Sequence, residues 1–270
     1  MPIAILLAPQ RSGTHALKEV LNSHPNVVSY PEVFHSDSVE IPTEMFWTFY
    51  LKEVKRNARI ALPDARIGCI ERYFDMLEKF HHDETTVLDI KYNSLHHGEG
   101  YWSPYSGPPK MFNTFRQRNY PVIHLWRCNL LRRQLSEMRA NQTGQFHLYK
   151  EGESIPLKMQ VNCKFVLKKL RSYTEWYTVV RTWLAGHKPL TELTYEDLWH
   201  DEDGDLKPDT VKKLSACLQV DPAGFNRKPN MFKVSPSNIS EMVLNVKELE
   251  EALAGTEFAW MLESDTPPVG

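Results

Sequence analysis

The opening stretch constrains this chain most. Ile3-Ala-Ile-Leu-Leu7 is an apolar run of β type and reads as a buried strand. Ala8-Pro-Gln-Arg-Ser-Gly-Thr14 follows as a tight turn, and beyond it Ala16, Leu17, Val20 and Leu21 pair at i, i+4 along one helix face. A strand, a turn of small residues and a helix, in that order, make a cradle for an anionic group. Backbone N–H groups at the helix start point into the turn, and the helix dipole adds about half a positive charge there. Arg11 adds a full one. A phosphorylated or sulfated ligand is the expected occupant; an ordinary strand-to-helix connection with an exposed Arg is the plain alternative.

Aligned with the nucleoside-triphosphate loop G-x-x-x-x-G-K-[ST], Ala8 takes the place of the first Gly, Thr14 that of the Lys, and His15 that of the magnesium-binding Ser/Thr. Three of the four defining positions fail, which disfavours a magnesium-ATP or magnesium-GTP site. What survives is a phosphate-binding turn whose cation is Arg11.

A length of 270 residues suits one α/β domain, 1–270, carrying a helical insertion at about 36–66 and an aromatic loop at about 95–110. The net charge of −2 gives no global basic field, so no nucleic-acid partner is expected and a small anionic ligand fits better. Cys69, Cys128, Cys163 and Cys217 are widely spaced with no C-x-x-C, which suggests neither zinc nor a disulfide framework. That usage, a strand beginning at residue 3 and the lack of any apolar run of membrane-spanning length together predict a cytoplasmic protein without a transmembrane segment.

Along the chain, Val27 to Tyr30 reads as a short strand closed by Pro31-Glu32. Thr43 to Ile60 is helical, with Met45, Phe46, Phe49 and Tyr50 followed by Lys52, Lys55, Arg56 and Arg59. A core-packed helix with a solvated basic face is favoured over a membrane-surface or acidic-partner helix. Arg72 to Phe80 is a further helix, and Thr85 to Ile90 a strand delivering Lys91. The stretch after it is rich in Gly and Pro, and its Tyr101, Trp102 and Tyr105 are placed to stack on a sugar. The pairs His81-His82 and His96-His97 read as surface histidines, because adjacent residues do not face one ion. Pro121 to Trp126 is a strand ending in Arg127, followed by helices over about 129–141 and 161–184, a strand over 189–193, and helices over 207–218 and 246–253. Strands alternating with helices imply a mostly parallel central sheet flanked by helices. Ligands bind such sheets at the C-terminal strand ends, and Arg11, Lys91, Arg127 and Tyr195 all fall just past such ends.

Those residues resemble the sulfotransferase family, enzymes that use 3′-phosphoadenosine 5′-phosphosulfate (PAPS) on a P-loop-like fold. Pro9-Gln-Arg-Ser-Gly-Thr-His15 resembles the family's 5′-phosphosulfate loop in members that use Arg rather than Lys, which implies donor contacts from Arg11, Ser12, Gly13, Thr14 and His15. Leu125-Trp-Arg-Cys-Asn-Leu-Leu-Arg-Arg-Gln-Leu-Ser136 resembles the 3′-phosphate motif, which implies that Arg127 and Ser136 hold that phosphate. Thr194-Tyr-Glu-Asp-Leu198 is similar to the element whose Tyr lies near the adenine, here Tyr195. The tail, from Pro236-Ser-Asn-Ile-Ser-Glu through Gly255-Thr256, is similar to the close of bacterial glycan- and lipid-directed members, and Arg227, Lys228 and Lys233 lie where other members cover the nucleotide.

The resemblance also implies a base. In the branch that includes tyrosylprotein and trehalose sulfotransferases a Glu lies just after the second strand, the place of Glu32 in Tyr30-Pro-Glu-Val-Phe34. Lys91 matches a Lys that contacts the transferring group. The implied reaction moves SO₃ to a hydroxyl, on a carbohydrate or glycolipid, by in-line displacement with Glu32 as general base and Arg11 and Lys91 meeting the developing charge. The donor needs no metal, and none is expected. A P-loop small-molecule kinase and a non-catalytic PAPS-binding protein are the competing readings; the acceptor's identity and the oligomeric state are not legible.

Overall fold

The computed structural model describes residues 3–35, 44–80, 84–98, 107–150, 152–200, 204–226, 228–230, 236 and 238–268. Tyr101, Trp102, Tyr105, His81, His82, Arg227, Lys233 and the start of the expected insertion lie outside them. Five strands, β1 (Ile3–Ala8), β2 (Val27–Glu32), β3 (Thr85–Lys91), β4 (Val122–Trp126) and β5 (Leu190–Thr194), form one sheet ordered β2-β3-β1-β4-β5. Every pairing is parallel. The expected α/β architecture, a parallel sheet flanked by helices, is what the chain adopts.

The sheet explains the unbroken apolar run of β1. As the middle strand it is covered on both faces and all six of its residues are buried. Alternation then divides it between two cores. Ile3, Ile5 and Leu7 join a cluster with Phe46, Phe74, Phe112 and Leu184, whereas Ala4, Leu6 and Ala8 join Leu17, Leu21, Val211 and Leu214. Helices α2 (Phe46–Arg56), α3 (Pro63–Phe80), α4 (Lys110–Gln117) and α6 (Cys163–Leu184) supply the first face; α1 (Thr14–Asn22), the single turn α7 (Tyr195–Leu198) and α8 (Pro208–Leu218) supply the second. A third cluster joins α5 (Leu130–Thr143) through Leu131 and Leu135 to α6 and α9 (Val246–Leu253).

Pro31 lacks the N–H that an interior strand needs, and it sits on edge strand β2, where the register slips between Ser29 and Glu32. That strand extends through Pro31-Glu32 rather than ending before them. The expected 43–60 helix is α2 followed by a short 3-10 turn over Ala58–Ala61. The break falls at Asn57, whose side chain accepts from the Arg59 amide and starts the second piece. The helix expected from Arg72 begins earlier, at Pro63. Phe46 is buried while Lys52, Lys55, Arg56 and Arg59 are exposed, as in the core-packed reading. Asn129 and Asn162 accept from the amides three residues on and so set the starts of α5 and α6, a contribution of about 1 kcal/mol each.

Candidate active site

The turn between β1 and α1 stands at the C-terminal edge of the sheet. Arg11 (φ 62°) and Gly13 (φ 82°) are both left-handed, which bends the chain sharply and brings it into α1 with no side-chain cap. The first amides of α1 therefore remain open to an anion. A Cβ on Gly13 would lie 2.5 Å from Tyr195 Cδ2, so the ring of Tyr195 presses directly on the turn. Ser12 is fully buried, and its Oγ has no partner among the described residues.

Arg11 reaches from the turn to α5. Its Nε and one terminal nitrogen donate to Ser136 Oγ at 3.3 and 3.1 Å, and the other donates to the Phe146 carbonyl at 3.0 Å. Burial, and then the nearby Arg127, lower the Arg11 pKa below its usual value. Arg127, at the end of β4, is buried, and its guanidinium stacks on the Tyr195 ring at 4.6 Å. Its Nε lies 3.8 Å from Glu196 Oε1, beyond hydrogen-bond reach, and is unpartnered among the described residues. Glu196 is instead engaged by the amides of Cys128 and Asn129, at 2.9 and 3.1 Å. The carboxylate thus fastens the element carrying Tyr195 to the turn that carries Arg127.

On the other side of the turn, Lys91 ends β3 almost wholly buried rather than solvated. Its Nζ donates to Thr14 Oγ1 at 2.5 Å and lies 3.7 Å from Glu32 Oε1. Asp89, two residues earlier on the same strand face, holds it: Nζ is 2.8 Å from Oδ1 and donates to Oδ2 at 3.1 Å. Lys18 of α1 meets the same Oδ2 at 2.8 Å. Burial raises the Asp89 pKa, but Lys91 and Lys18 outweigh it and hold the carboxyl below its ordinary range. Glu32 is the outermost member, its side chain 31% exposed. A carboxylate open to water, fixed beside a buried ammonium, is suited to taking a proton and releasing it.

Arg11, Ser12, Gly13, Thr14, Lys91, Glu32, Arg127, Ser136 and Tyr195 therefore gather around one turn. His15, also on the turn, meets the 146–149 segment that Arg11 reaches. Its ring stacks on His147 at 4.1 Å, its Nε2 meets the Tyr149 hydroxyl at 3.0 Å, and burial lowers its pKa, so it supplies no cation at neutral pH. The His147 pKa is pushed down to about 4, first by burial. Further along, Ser154 and Ile155 are pinned to α5 by Arg139, which donates to Ser154 Oγ at 2.8 Å and to the Ile155 carbonyl. His97, expected at the surface, is half-buried against Trp47 at 5.0 Å.

Asp89, Lys18, Glu196 and the 146–149 segment were not legible as site residues. A charged residue within the run Val87-Leu-Asp-Ile90 is a usable signal for Asp89; nothing in the sequence marks Phe146. Among the described residues no group of three or more His, Cys, Asp or Glu is placed to hold a metal, and no helix is long and apolar enough to cross a membrane.

No family model matches the chain. It is similar to Nodulation protein H of Rhizobium tropici, with 22% identity over 262 residues, which covers 97% of this chain and 93% of that protein. A match of that length spans the sheet and the turn together rather than one motif.

Proposed function

We propose that this chain is a sulfotransferase of one domain that moves the sulfuryl group of PAPS to an acceptor hydroxyl on a carbohydrate or glycolipid. The observation that carries the reading is the meeting of Arg11 with Ser136 beside the Lys91–Thr14 contact: two anion-binding positions, far apart in sequence, share one turn. The fit of a nucleotide with two anionic ends rests on polar groups that lack partners. Ser12 Oγ and Arg127 Nε, the latter 3.8 Å from Glu196, are buried without a hydrogen-bond partner among the described residues, a costly condition that a bound phosphate oxygen would relieve.

In this reading Arg127 and Ser136 hold the 3′-phosphate, and Tyr195 borders the adenine. The amides of the turn, with Ser12, Gly13 and Thr14, hold the 5′ end. Glu32 takes the acceptor's hydroxyl proton as the new oxygen–sulfur bond forms. The bond from sulfur to the 5′-phosphate oxygen breaks on the opposite side. Arg11, Lys91 and the turn amides meet the charge that collects on that oxygen, each well-aimed donor being worth about 3 to 4 kcal/mol. The products are a sulfate ester and 3′,5′-bisphosphoadenosine, and Glu32 returns its proton to water. No step calls for a metal.

Thermal-shift measurements test the donor assignment. Stabilisation by 3′,5′-bisphosphoadenosine without magnesium is expected, and stabilisation by magnesium-ATP alone would overturn it. Transfer of radiolabelled sulfate from PAPS to fractionated glycans tests the reaction.

A further inference from the structure

A cavity of about 640 Å³ lies beside the turn, between the ends of β3 and β4 on one side and α6 with the 259–262 turn on the other. Its volume is within the roughly 300–1,000 Å³ of small-molecule sites. Six aromatic side chains line it: Tyr92, Trp126, Tyr173, Trp176, Tyr177 and Trp260. It shares Pro9 and Gln10 with the anion-binding turn and Arg127 with the adjoining clamp, and Tyr92 directly follows Lys91. A ligand in it is therefore next to the transferring group, among walls in which six rings outnumber the two guanidinium groups, Arg127 and Arg133.

The rings are held in place. The Tyr92 hydroxyl meets His124 Nε2 at 2.5 Å, and His124 Nδ1 is 3.3 Å from Glu192 Oε1. Arg181 fixes Glu192 at 2.9 and 3.0 Å. A carboxylate only accepts, so Nδ1 carries the hydrogen and Nε2 accepts from Tyr92. Tyr173 is clamped between the Arg133 guanidinium, 3.8 Å from its ring, and Gln134, to which its hydroxyl donates at 2.5 Å. Tyr177 packs on Trp126 with ring centroids 4.0 Å apart and planes tilted by 31°, but its buried hydroxyl has no hydrogen-bond partner among the described residues.

We infer that this cavity is the acceptor site and that it takes a neutral saccharide. The inference rests on the sulfotransferase reading only in naming the occupant an acceptor. Aromatic faces suit the C–H face of a sugar ring, and the polar groups between them suit its hydroxyls. Tyr177 Oη, Gln10, Asn93 and Arg133 are distributed among the rings. A simple phenol covers the rings and leaves the Tyr177 hydroxyl dry; an acyl chain leaves every polar group dry. Among the described residues no carboxylate lines the cavity, so the reacting hydroxyl has to project out of it past Lys91 to come within reach of Glu32.

Tryptophan fluorescence and saturation-transfer NMR with cellobiose, maltose and lactose test this, with 4-nitrophenol as the aryl comparison and 3′,5′-bisphosphoadenosine as a separate titration. At least one disaccharide is expected to bind and to outcompete 4-nitrophenol. Tyr177→Phe, which deletes only an unpartnered hydroxyl, should weaken saccharide binding about tenfold while leaving the melting temperature and nucleotide affinity unchanged. Trp260→Leu should abolish saccharide binding and spare the nucleotide. Tighter binding of 4-nitrophenol, no binding of any disaccharide, or an unchanged saccharide affinity in Tyr177→Phe would each overturn the assignment. Loss of nucleotide rather than saccharide in Trp260→Leu would make this an adenine pocket. Failure of the wild-type protein to bind 3′,5′-bisphosphoadenosine would instead sink the sulfotransferase reading, whatever the saccharides do.

Discussion

Arg11 donates twice to the hydroxyl of Ser136, at 3.3 and 3.1 Å, and so joins the turn after β1 to the second turn of α5. The pair spans two subsites of the proposed donor site, one for each anionic end. A hydroxyl that accepts from the guanidinium keeps its own hydrogen free to donate to a phosphate oxygen. The contact therefore orients both partners before the nucleotide arrives.

Ser136→Ala removes that hydroxyl and leaves Arg11 bound to the Phe146 carbonyl alone. A hydrogen bond to a charged group is worth about 1.5–3 kcal/mol. Calorimetric titration with 3′,5′-bisphosphoadenosine should show affinity falling roughly 10- to 100-fold on that scale. A change smaller than twofold would remove Ser136 from the donor site. Arg127→Ala should raise the donor KM still further, since it deletes a full charge.

Glu32→Gln should separate binding from chemistry. The amide keeps the shape of the side chain beside Lys91 but cannot accept the acceptor's proton. General-base assistance contributes roughly 10²- to 10⁴-fold, so kcat should fall by that factor. Nucleotide affinity by titration should stay within twofold. Undiminished turnover would exclude Glu32 as the base.

Much of this site is legible because it is local. The turn and the strand ends each lie within a few residues of the pattern that announces them. Lys91 is legible as a strand-end cation, but its burial is not. Its partner Asp89 is shared with Lys18 of α1, and only the parallel pairing of β1 with β3 brings α1 over that carboxylate. Ser136 looks like any helix-surface serine until α5 packs over the turn and buries it. The 146–149 segment has no periodicity at all. It is placed by the Arg11–Phe146 contact and by the Tyr149–His15 hydrogen bond, both of which depend on the finished fold.

Asp89 is the place where acid should act. Its carboxyl is fully buried between Lys91 and Lys18 and is held below its ordinary value of 3.8. A folded-state value below the unfolded one means that the unfolded chain binds the proton first as pH falls. The stability from this group is therefore fully present above the ordinary carboxylate range and is lost as pH drops through the lower folded value. Urea denaturation from pH 6 down to pH 2 should show a stability loss below about pH 4 that Asp89→Asn lacks. At neutral pH the same substitution should cost about 3–5 kcal/mol, because it leaves two lysines facing an uncharged group. A stability curve with the same acid slope in both proteins would exclude Asp89 as its source.

Gly13→Ala tests the packing of Tyr195 on the turn. The added methyl would lie 2.5 and 2.8 Å from two carbons of the Tyr195 ring, at a backbone φ of 82°. Holding a non-glycine residue in that region costs of order 1–3 kcal/mol before any clash. The ring cannot retreat freely, because its other contacts include the Arg127 guanidinium at 4.6 Å. Relief thus has to displace either the turn or Arg127, each of which is assigned to one end of the nucleotide. The expected result is a lowered melting temperature together with loss of most 3′,5′-bisphosphoadenosine binding. Tyr195→Ala in the same background makes room for the methyl. It should restore part of the melting temperature without restoring nucleotide affinity, since it removes the stack on Arg127. Full recovery of affinity in that double variant would show that Tyr195 shapes the turn without contributing to the donor site.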